Sequence, residues 1–297
     1  MNKKTLRKVL ALLLLICFFL VLAGGYIYRK KNTWVLVQYG DASGNQGLFY
    51  SLKNQWDHTL ILVDGGWPEN EAYVRAVIEE NGGTVDAWFI THYHADHVSA
   101  FNAIYQNPGK IRIRDVYATP LDWDTFAAVS RSWDTPEAFR HFLQVTQGKK
   151  NIHYLSQGDT FAIGSIKAEV FHAYSPELTS CYGDDIPNNA SLVFRLSGKR
   201  DSILFCGDAH QEPLAACLVQ TYADRLQSEY VQTGHHGNNS LPESFYDTVK
   251  PDLAFFDAPQ WLMEGEKYTA KDLSAFFQEK GVRVCDYTTV PNSFIFR

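Results

Sequence analysis

Between Thr91 and His97 the chain reads Thr-His-Tyr-His-Ala-Asp-His, directly after the apolar run Ala87-Trp88-Phe89-Ile90. Three imidazoles and a carboxylate at this density suit a divalent transition metal: zinc first, with manganese or iron accepting the same nitrogen and oxygen donors. The spacing also restricts the backbone. On a continuous helix His92 and His94 would point about 200° apart and could not share a cluster. A turn leaving a strand can instead aim His92, His94, Asp96 and His97 inward together. No Ser-His-Asp arrangement or phosphate-cradling glycine loop accompanies the motif, and an activated water makes a side-chain nucleophile unnecessary.

Positioning such a turn requires strands that end together. Trp34–Gln38 and 47–50 read as strands joined by the turn-rich segment 41–47. Residues 69–80 read as a helix, with Pro68 near its start and Asn81-Gly82-Gly83 ending it. A helix is expected over 98–105, a strand over 111–118 and an amphipathic helix over 136–147. Strands follow at 152–155, 160–163 and 166–172, and a helix at 210–226. His141 is expected on the surface, and His153 and His172 in structural positions. His210 is either a neighbour of the site or simply the first turn of its helix. Segment 120–135, carrying Trp123, Trp133, Asp122, Asp124 and Asp134, reads either as an insertion covering substrate or as a loop packing its own aromatics.

The His-x-His-x-Asp-His motif resembles the signature of the metallo-β-lactamase superfamily, and three later or earlier stretches fit the same pattern in order. Thr59-Leu-Ile-Leu-Val-Asp64 ends an early strand on an acid, Ser202-Ile-Leu-Phe-Cys-Gly-Asp208 ends a later one, and Tyr230-Val-Gln-Thr-Gly-His235-His236-Gly237 supplies late histidines. The resemblance spans roughly residues 34–260. It implies an α/β fold, a four-layer αββα sandwich, with two divalent metal ions. It also implies that His92 and His94 hold one ion, that Asp96, His97 and His236 hold the other, and that Asp208 bridges them. Asp96, Asp208 and His235 are the implied catalytic groups, His235 touching a substrate oxygen or protonating the leaving group. Asp64 is expected to accept a hydrogen bond from a ligand imidazole, or else to be a strand-end turn carboxylate.

The stretch Asp185-Ile-Pro-Asn188-Asn189-Ala-Ser191-Leu-Val-Phe, followed by Gly-Asp and His-His-Gly, looks like the ComEC-like branch of that superfamily. Most members place a histidine before the strand that precedes Gly-Asp, whereas no histidine lies between His172 and His210 here. Asn189, with Asn188 next, is the candidate for that place; the alternative is an Asx turn before a strand.

The N-terminus stands apart from this domain. Residues 9–28 carry no charge, and Lys3, Lys4, Arg7 and Lys8 precede them while Arg29, Lys30 and Lys31 follow. Such a run is long enough to cross about 30 Å of hydrocarbon. An uncleaved signal anchor over residues 1–31 is expected, in preference to a cleaved signal peptide, with one hydrolase domain over 32–297. The slight excess of basic residues before the span puts the domain on the extracytoplasmic side of a cell membrane. Cys181, Cys206, Cys217 and Cys285 show neither disulfide-scaffold nor Cys-x-x-Cys spacing, and Cys206 reads as a small buried apolar residue.

Seven of the 27 basic residues lie in the first 31 positions, which contain no acid; the remaining 20 face 33 acidic residues, a net charge of −13. That balance argues against a protein that tracks along nucleic acid, where phosphate neutralisation dominates affinity. It does not exclude phosphodiester chemistry, because two divalent ions reverse the local field. The leading expectation is therefore a membrane-anchored dinuclear hydrolase acting on a phosphodiester, in a small or polymeric extracellular substrate. The alternatives are a lactone or β-lactam hydrolase, and a non-catalytic member that binds DNA or an envelope partner.

Overall fold

The computed structural model describes residues 2–297. The first half of the chain builds one sheet from β1 (Trp34–Gln38), β2 (Phe49–Asn54), β3 (Leu60–Asp64), β4 (Thr84–Ile90), β5 (Arg112–Ala118) and β6 (Ile152–Tyr154). The second half builds another from β7 (Thr160–Ile163), β8 (Ile166–His172), β9 (Val193–Ser197), β10 (Ser202–Phe205), β11 (Tyr230–Gln232), β12 (Leu253–Phe255) and β13 (Arg283–Cys285). The last strand, β14 (Asn292–Phe296), returns to the edge of the first sheet beside β1, giving two seven-stranded sheets. Each sheet is antiparallel on one side and parallel on the other, with β3–β6 and β10–β13 as the parallel runs. Strand β3, Leu-Ile-Leu-Val-Asp, is buried at every position, as a strand covered on both faces must be.

The helices are α1 (Lys3–Lys31), α2 (Glu71–Glu80), α3 (Ala95–Gln106), α4 (Trp123–Val129), α5 (Pro136–Thr146), α6 (Ile186–Asn189), α7 (Glu212–Tyr222), α8 (Glu243–Val249), α9 (Gln260–Glu264) and α10 (Ala270–Glu279). Three apolar clusters define the layers. Phe89, Phe194, Phe205 and Tyr50 fill the space between the sheets, with Phe89 stacked on Phe194 at 4.5 Å. Val77 of α2, Phe101 of α3 and Phe142 of α5 pack with Trp88 outside the first sheet. Leu214 and Leu218 of α7, Phe245 of α8 and Phe277 of α10 cover the second. Helix, sheet, sheet, helix is the αββα sandwich expected.

Several boundaries differ from expectation for identifiable reasons. The second strand runs 49–54 rather than 47–50, because Ser51, Lys53 and Asn54 hide its continuation. Gly47 and Leu48 instead serve tertiary contacts: the Gly47 carbonyl accepts from the Tyr287 hydroxyl, and the Leu48 amide donates to Asp96 O at 3.1 Å. Helix α3 starts at Ala95, three residues early, with His94 in extended geometry (φ −70°, ψ 155°) at its N-cap. The metal motif is therefore half turn, half first helical turn. The helix expected from His210 begins at Glu212, after Gln211 at φ 73°, and gives way to a 3-10 turn at Ala223–Leu226. A disulfide joins Cys181 to Cys217, although the cysteine spacing shows no disulfide scaffold; Cys206 and Cys285 are buried and free. The pairing is invisible in sequence because the partners lie 36 residues apart and meet only when the segment before α6 packs on α7.

Within α1, Leu12–Lys31 is long and apolar enough to cross a membrane, and none of it is buried against the domain. The helix meets the domain at Lys31, whose carbonyl accepts from Asn54 Nδ2 and Ser165 Oγ, both at 2.9 Å. Trp34, Asn54 and Leu60 share that end of the first sheet, while Gln38, Phe49 and Asp64 share the other. The chain thus enters at the pole where β3 and β4 begin, opposite the one where they end.

Candidate metal centre

The candidate residues converge where β3, β4, β10 and β11 end, at the carboxyl edge of two parallel runs. Asp64 closes β3 in a left-handed conformation, φ 51°. Its side chain lies fully buried under the motif, accepting Thr91 N–H at 2.8 Å and Thr91 Oγ1–H at 2.6 Å, and facing His97 Nδ1 at 2.7 Å. After β10, Gly207 turns at φ 55°, where a Cβ would stand 2.9 Å from both Ser191 Oγ and Thr91 Cβ. Only glycine allows the Asp208 turn to press on the Thr91 turn. Gln232 Oε1 fixes that turn by accepting the amides of Cys206 and Gly207, each at 2.8 Å. After β11, His235 and His236 hold positive φ of 50° and 58°, and His235 N–H donates to Gly207 O at 3.1 Å. Non-glycine residues in this region cost about 1–3 kcal/mol each, a strain found where geometry is over-determined by its surroundings.

Two groups of potential ligands result. Asp96, His97, Asp208 and His236 form one; His92, His94 and Asp208 form the other, so the Asp208 carboxylate is common to both. His97 Nε2 lies 3.1 Å from Asp208 Oδ1, and His236 Nε2 lies 3.3 Å from Asp208 Oδ2 and 3.2 Å from Asp96 Oδ2. His92 Nε2 is 3.9 Å from Asp208 Oδ2. The buried Nε2 atoms of His92, His97 and His236, and Asp208 Oδ1, have no hydrogen-bond partner among the described residues. Buried polar atoms without partners are costly, and a cation would satisfy all of them at once. The mixed imidazole and carboxylate donors fit two zinc, manganese or iron ions.

The electrostatics agree with a site built for positive charge. Burial opposes charging His97, but Asp208 and Asp96 outweigh it and hold the imidazolium well above the usual histidine range. His236 behaves alike: burial opposes, Asp208 and Asp96 prevail, and the value rises to about 10. Burial would raise Asp208, yet His236 and His97 hold it well below the usual carboxylate range. His92, by contrast, is pushed down by burial and by its neighbour His97.

A cavity of about 270 Å³ opens over the cluster, lined by Trp67, His94, Asp96, Trp133, Asn188, Asp208, His235 and His236 among others. His235 is half-buried in its wall. Its Nδ1 faces Asn238 O at 2.6 Å, which leaves Nε2 as the free nitrogen. Burial depresses its pKa, with Asp208 pulling the other way.

The asparagine pair resolves differently from the sequence expectation. Asn189 is spent on structure: Oδ1 accepts His210 N–H and Nδ2 donates to Tyr182 O, both at 2.9 Å. Asn188, on the cavity wall, keeps a buried Oδ1 with no partner among the described residues. One helical turn in α6 decides which neighbour faces inward, and sequence spacing cannot show it. Asp185 Oδ2 stands 3.2 Å from His210 Nε2, and the His210 ring stacks on His235 at 4.9 Å, so His210 borders the site. His153 pairs with Asp115 at 2.7 Å and His141 with Gln106 at 3.0 Å, away from the cluster. His172 is buried and outside both ligand groups.

Sequence reasoning missed two groups. The Asp257 carbonyl faces His236 Nδ1 at 3.1 Å, and its carboxylate accepts Gln38 Nε2–H at 2.9 Å and Tyr50 Oη–H at 2.6 Å. Asp134, named before only as part of an aromatic loop, is buried with Oδ1 3.3 Å from His94 Nε2. Neither lies in a recognisable motif; the only signal was that 120–135 concentrates acids and tryptophans without forming a strand.

Comparison with known proteins fits this geometry. A family model described as the metallo-β-lactamase superfamily matches residues 57–181, which contain Asp64 and the whole His92–His97 motif. A β-lactamase hydrolase-like protein of Xylella fastidiosa (strain 9a5c) is 28% identical over 119 residues, 37% of this chain. The match spans about a quarter of that relative, 23% of its length. The crystal structure of the metallo-β-lactamase fold protein YhfI from Bacillus subtilis superposes with a TM-score of 0.56 at 11% identity, covering 89% of this chain and 99% of that one. CmlA, a diiron β-hydroxylase from Streptomyces venezuelae, superposes with a TM-score of 0.53 at 15% identity, covering 89% and 54%. Asp208 and His236 lie beyond the stretch the family model matches; there the two superpositions and the paired sheets carry the likeness. The chain has the metallo-β-lactamase superfamily fold, with a histidine and aspartate cluster able to bind metal at the carboxyl edge of its sheets.

Proposed function

We propose that the protein is a membrane-anchored, dinuclear metal-dependent hydrolase whose substrate is a phosphodiester. The observation that carries this reading is Asp208, whose carboxylate is shared by two separate groups of buried ligands on the floor of a cavity. His92, His94 and Asp208 would hold one ion; Asp96, His97, His236 and Asp208 the other, with zinc first and manganese or iron possible by the same donor chemistry. Bound there, two divalent ions would lower the pKa of an attacking water and neutralise charge growing on the phosphoryl oxygens.

The chain's own groups do the rest. Asp64 fixes the proton of His97 on Nδ1 and turns Nε2 to the cluster. The Asp257 carbonyl does the same for His236. His235, whose pKa burial depresses, has Nε2 free to take a proton from the attacking water and to return it to the departing oxygen. Trp67 and Trp133 give the cavity aromatic walls against which an organic substituent can lie.

The Asp185–Phe194 stretch with Gly207-Asp208 and His235-His236-Gly237 is the basis for placing the chain near the ComEC-like branch, and for ranking phosphorus ahead of carbonyl carbon. The apolar helix Leu12–Lys31, the one span of that length among the described residues, supports anchoring, with the domain taken from residue 32. The Cys181–Cys217 disulfide supports an extracytoplasmic domain, since such bonds persist in oxidising compartments.

The test is turnover by the full chain in detergent of a bis-aryl phosphodiester, a lactone and a chromogenic β-lactam. The phosphodiester should be hydrolysed fastest, and His92→Ala or Asp208→Ala should abolish turnover in folded protein. Faster lactone or β-lactam hydrolysis moves the reaction to carbon. Turnover retained in either variant removes the metal cluster from the mechanism.

A further inference from the structure

We propose that Asp134 is the positioning residue of the first metal site. It is placed to accept a hydrogen bond from His94 Nε2–H, so that His94 Nδ1 is the nitrogen left for the ion. This rests on the dinuclear reading above and adds to it a group from outside every motif.

The other three imidazoles of the cluster set the pattern. Each has an oxygen at its Nδ1: Thr91 Oγ1 at 3.3 Å from His92, Asp64 Oδ2 at 2.7 Å from His97, and Asp257 O at 3.1 Å from His236. An oxygen at one ring nitrogen fixes the tautomer and leaves the other nitrogen for metal. His94 differs, because its Nε2 is the nitrogen that faces a carboxylate, Asp134 Oδ1 at 3.3 Å. Both atoms are buried, and neither makes a hydrogen bond among the described residues, so the 3.3 Å approach leaves each as the nearest polar group the other can pair with. His94 lines the cavity, so with Nε2 occupied by Asp134 its Nδ1 is left for the cluster.

Asp134 is held in place from its other side. Its Oδ2 accepts the Arg131 amide, its own amide donates to Arg131 O at 3.1 Å, and the Arg131 guanidinium pairs with Asp184 at 3.0 Å. The next residue, Thr135, bends at φ 47° and accepts the Ala95 amide on Oγ1 at 3.0 Å, tying the loop to the first turn of α3. The first site needs such support more than the second. Its ligand group contains two histidines and the shared Asp208, with asparagines at 188 and 189 and no third imidazole. The loop also carries Trp133, so the segment that covers the cavity is the one that orients His94.

The experiment uses full-length protein in detergent, loaded from metal buffers and counted by mass spectrometry, with the visible spectrum of the cobalt-substituted form as a second readout. Wild type should bind two ions. Asp134→Ala should keep one and hold the other about 10–100-fold more weakly, with a changed cobalt spectrum. Asp134→Asn, whose carboxamide oxygen can still accept from Nε2–H, should restore most of the affinity and the spectrum. Two ions bound by Asp134→Ala with wild-type affinity and spectrum would overturn the role of Asp134 while leaving the dinuclear reading intact. An Asp134→Asn protein as weak as Asp134→Ala would make Asp134 a direct ligand and overturn the tautomer role. Fewer than two ions on wild type would overturn the dinuclear reading and this inference together.

Discussion

The two halves of the metal cluster are built on different principles. The half formed by Asp96, His97 and His236 is rigid and acidic. Its residues sit on the first turn of α3 and on a strained turn locked to the Gly207 turn, with Asp64 buried beneath. The half formed by His92 and His94 is poorer in charge. It relies on one turn residue, one helix cap and an oxygen brought in by a separate loop. Asp208 joins them. The contrast shows how a shared carboxylate joins one half crowded with acidic groups to another whose nearest further carboxylate, Asp134, comes from a separate loop.

Single deletions test the contrast most sharply. His236→Ala should remove the ion of the acidic half and His92→Ala the ion of the other, each variant retaining one metal by mass spectrometry and losing turnover. If either variant loses both ions, the halves are not separable and the comparison breaks. A smaller effect is expected from Asp64→Ala, which frees His97 Nδ1 and strands the Thr91 amide. Affinity at the acidic half should fall about 10–100-fold, measured by competition with a metal indicator, while the His92–His94 half is unchanged. Equal weakening of both would show that Asp64 supports the whole turn rather than one imidazole.

The mildest perturbation is pH. His236 rises from 6.5 to about 10 in the folded, metal-free site. A histidine with a raised folded value contributes stability that is complete below its unfolded value and lost as pH climbs through the folded one. The melting temperature of metal-stripped protein should therefore decline between pH 6.5 and about 10. Metal loading should flatten that decline, because a bound cation replaces the titrating proton. A decline unchanged by metal would assign it to groups outside the cluster.

Much of this arrangement was legible in the chain. Residues 92–97 announce a candidate metal site because its donors are contiguous, Asp64 and Asp208 follow apolar runs that read as strands, and His236 follows the short strand-like stretch Tyr230–Gln232. What could not be read depends on tertiary placement. Asp134 reaches His94 across a loop that turns on a left-handed Thr135, a conformation no residue type at that position signals. Asn188 and Asn189 are chemically identical neighbours, and only the direction of one short helix separates the one facing the cavity from the one bonded to His210 and Tyr182. Cys181 and Cys217 pair because an element before α6 lies across α7, which spacing does not encode. Strand β2 runs on past Tyr50 because Ser51 and Asn54 are buried and hydrogen-bonded, to the Tyr39 hydroxyl and the Lys31 carbonyl, rather than interrupting the strand.

The entry of the chain at Lys31, at the pole opposite the cavity, has a consequence for reach. With Leu12–Lys31 in a bilayer, the lengths of β1 and β3 stand between the lipid surface and the cluster. The cleft then opens outward like a lamp on a post. Headgroups of the supporting leaflet would then pass beneath the domain, beyond its working face. In the proposed anchored arrangement, the molecules it would meet are those arriving from the space in front of the membrane rather than those lying in it.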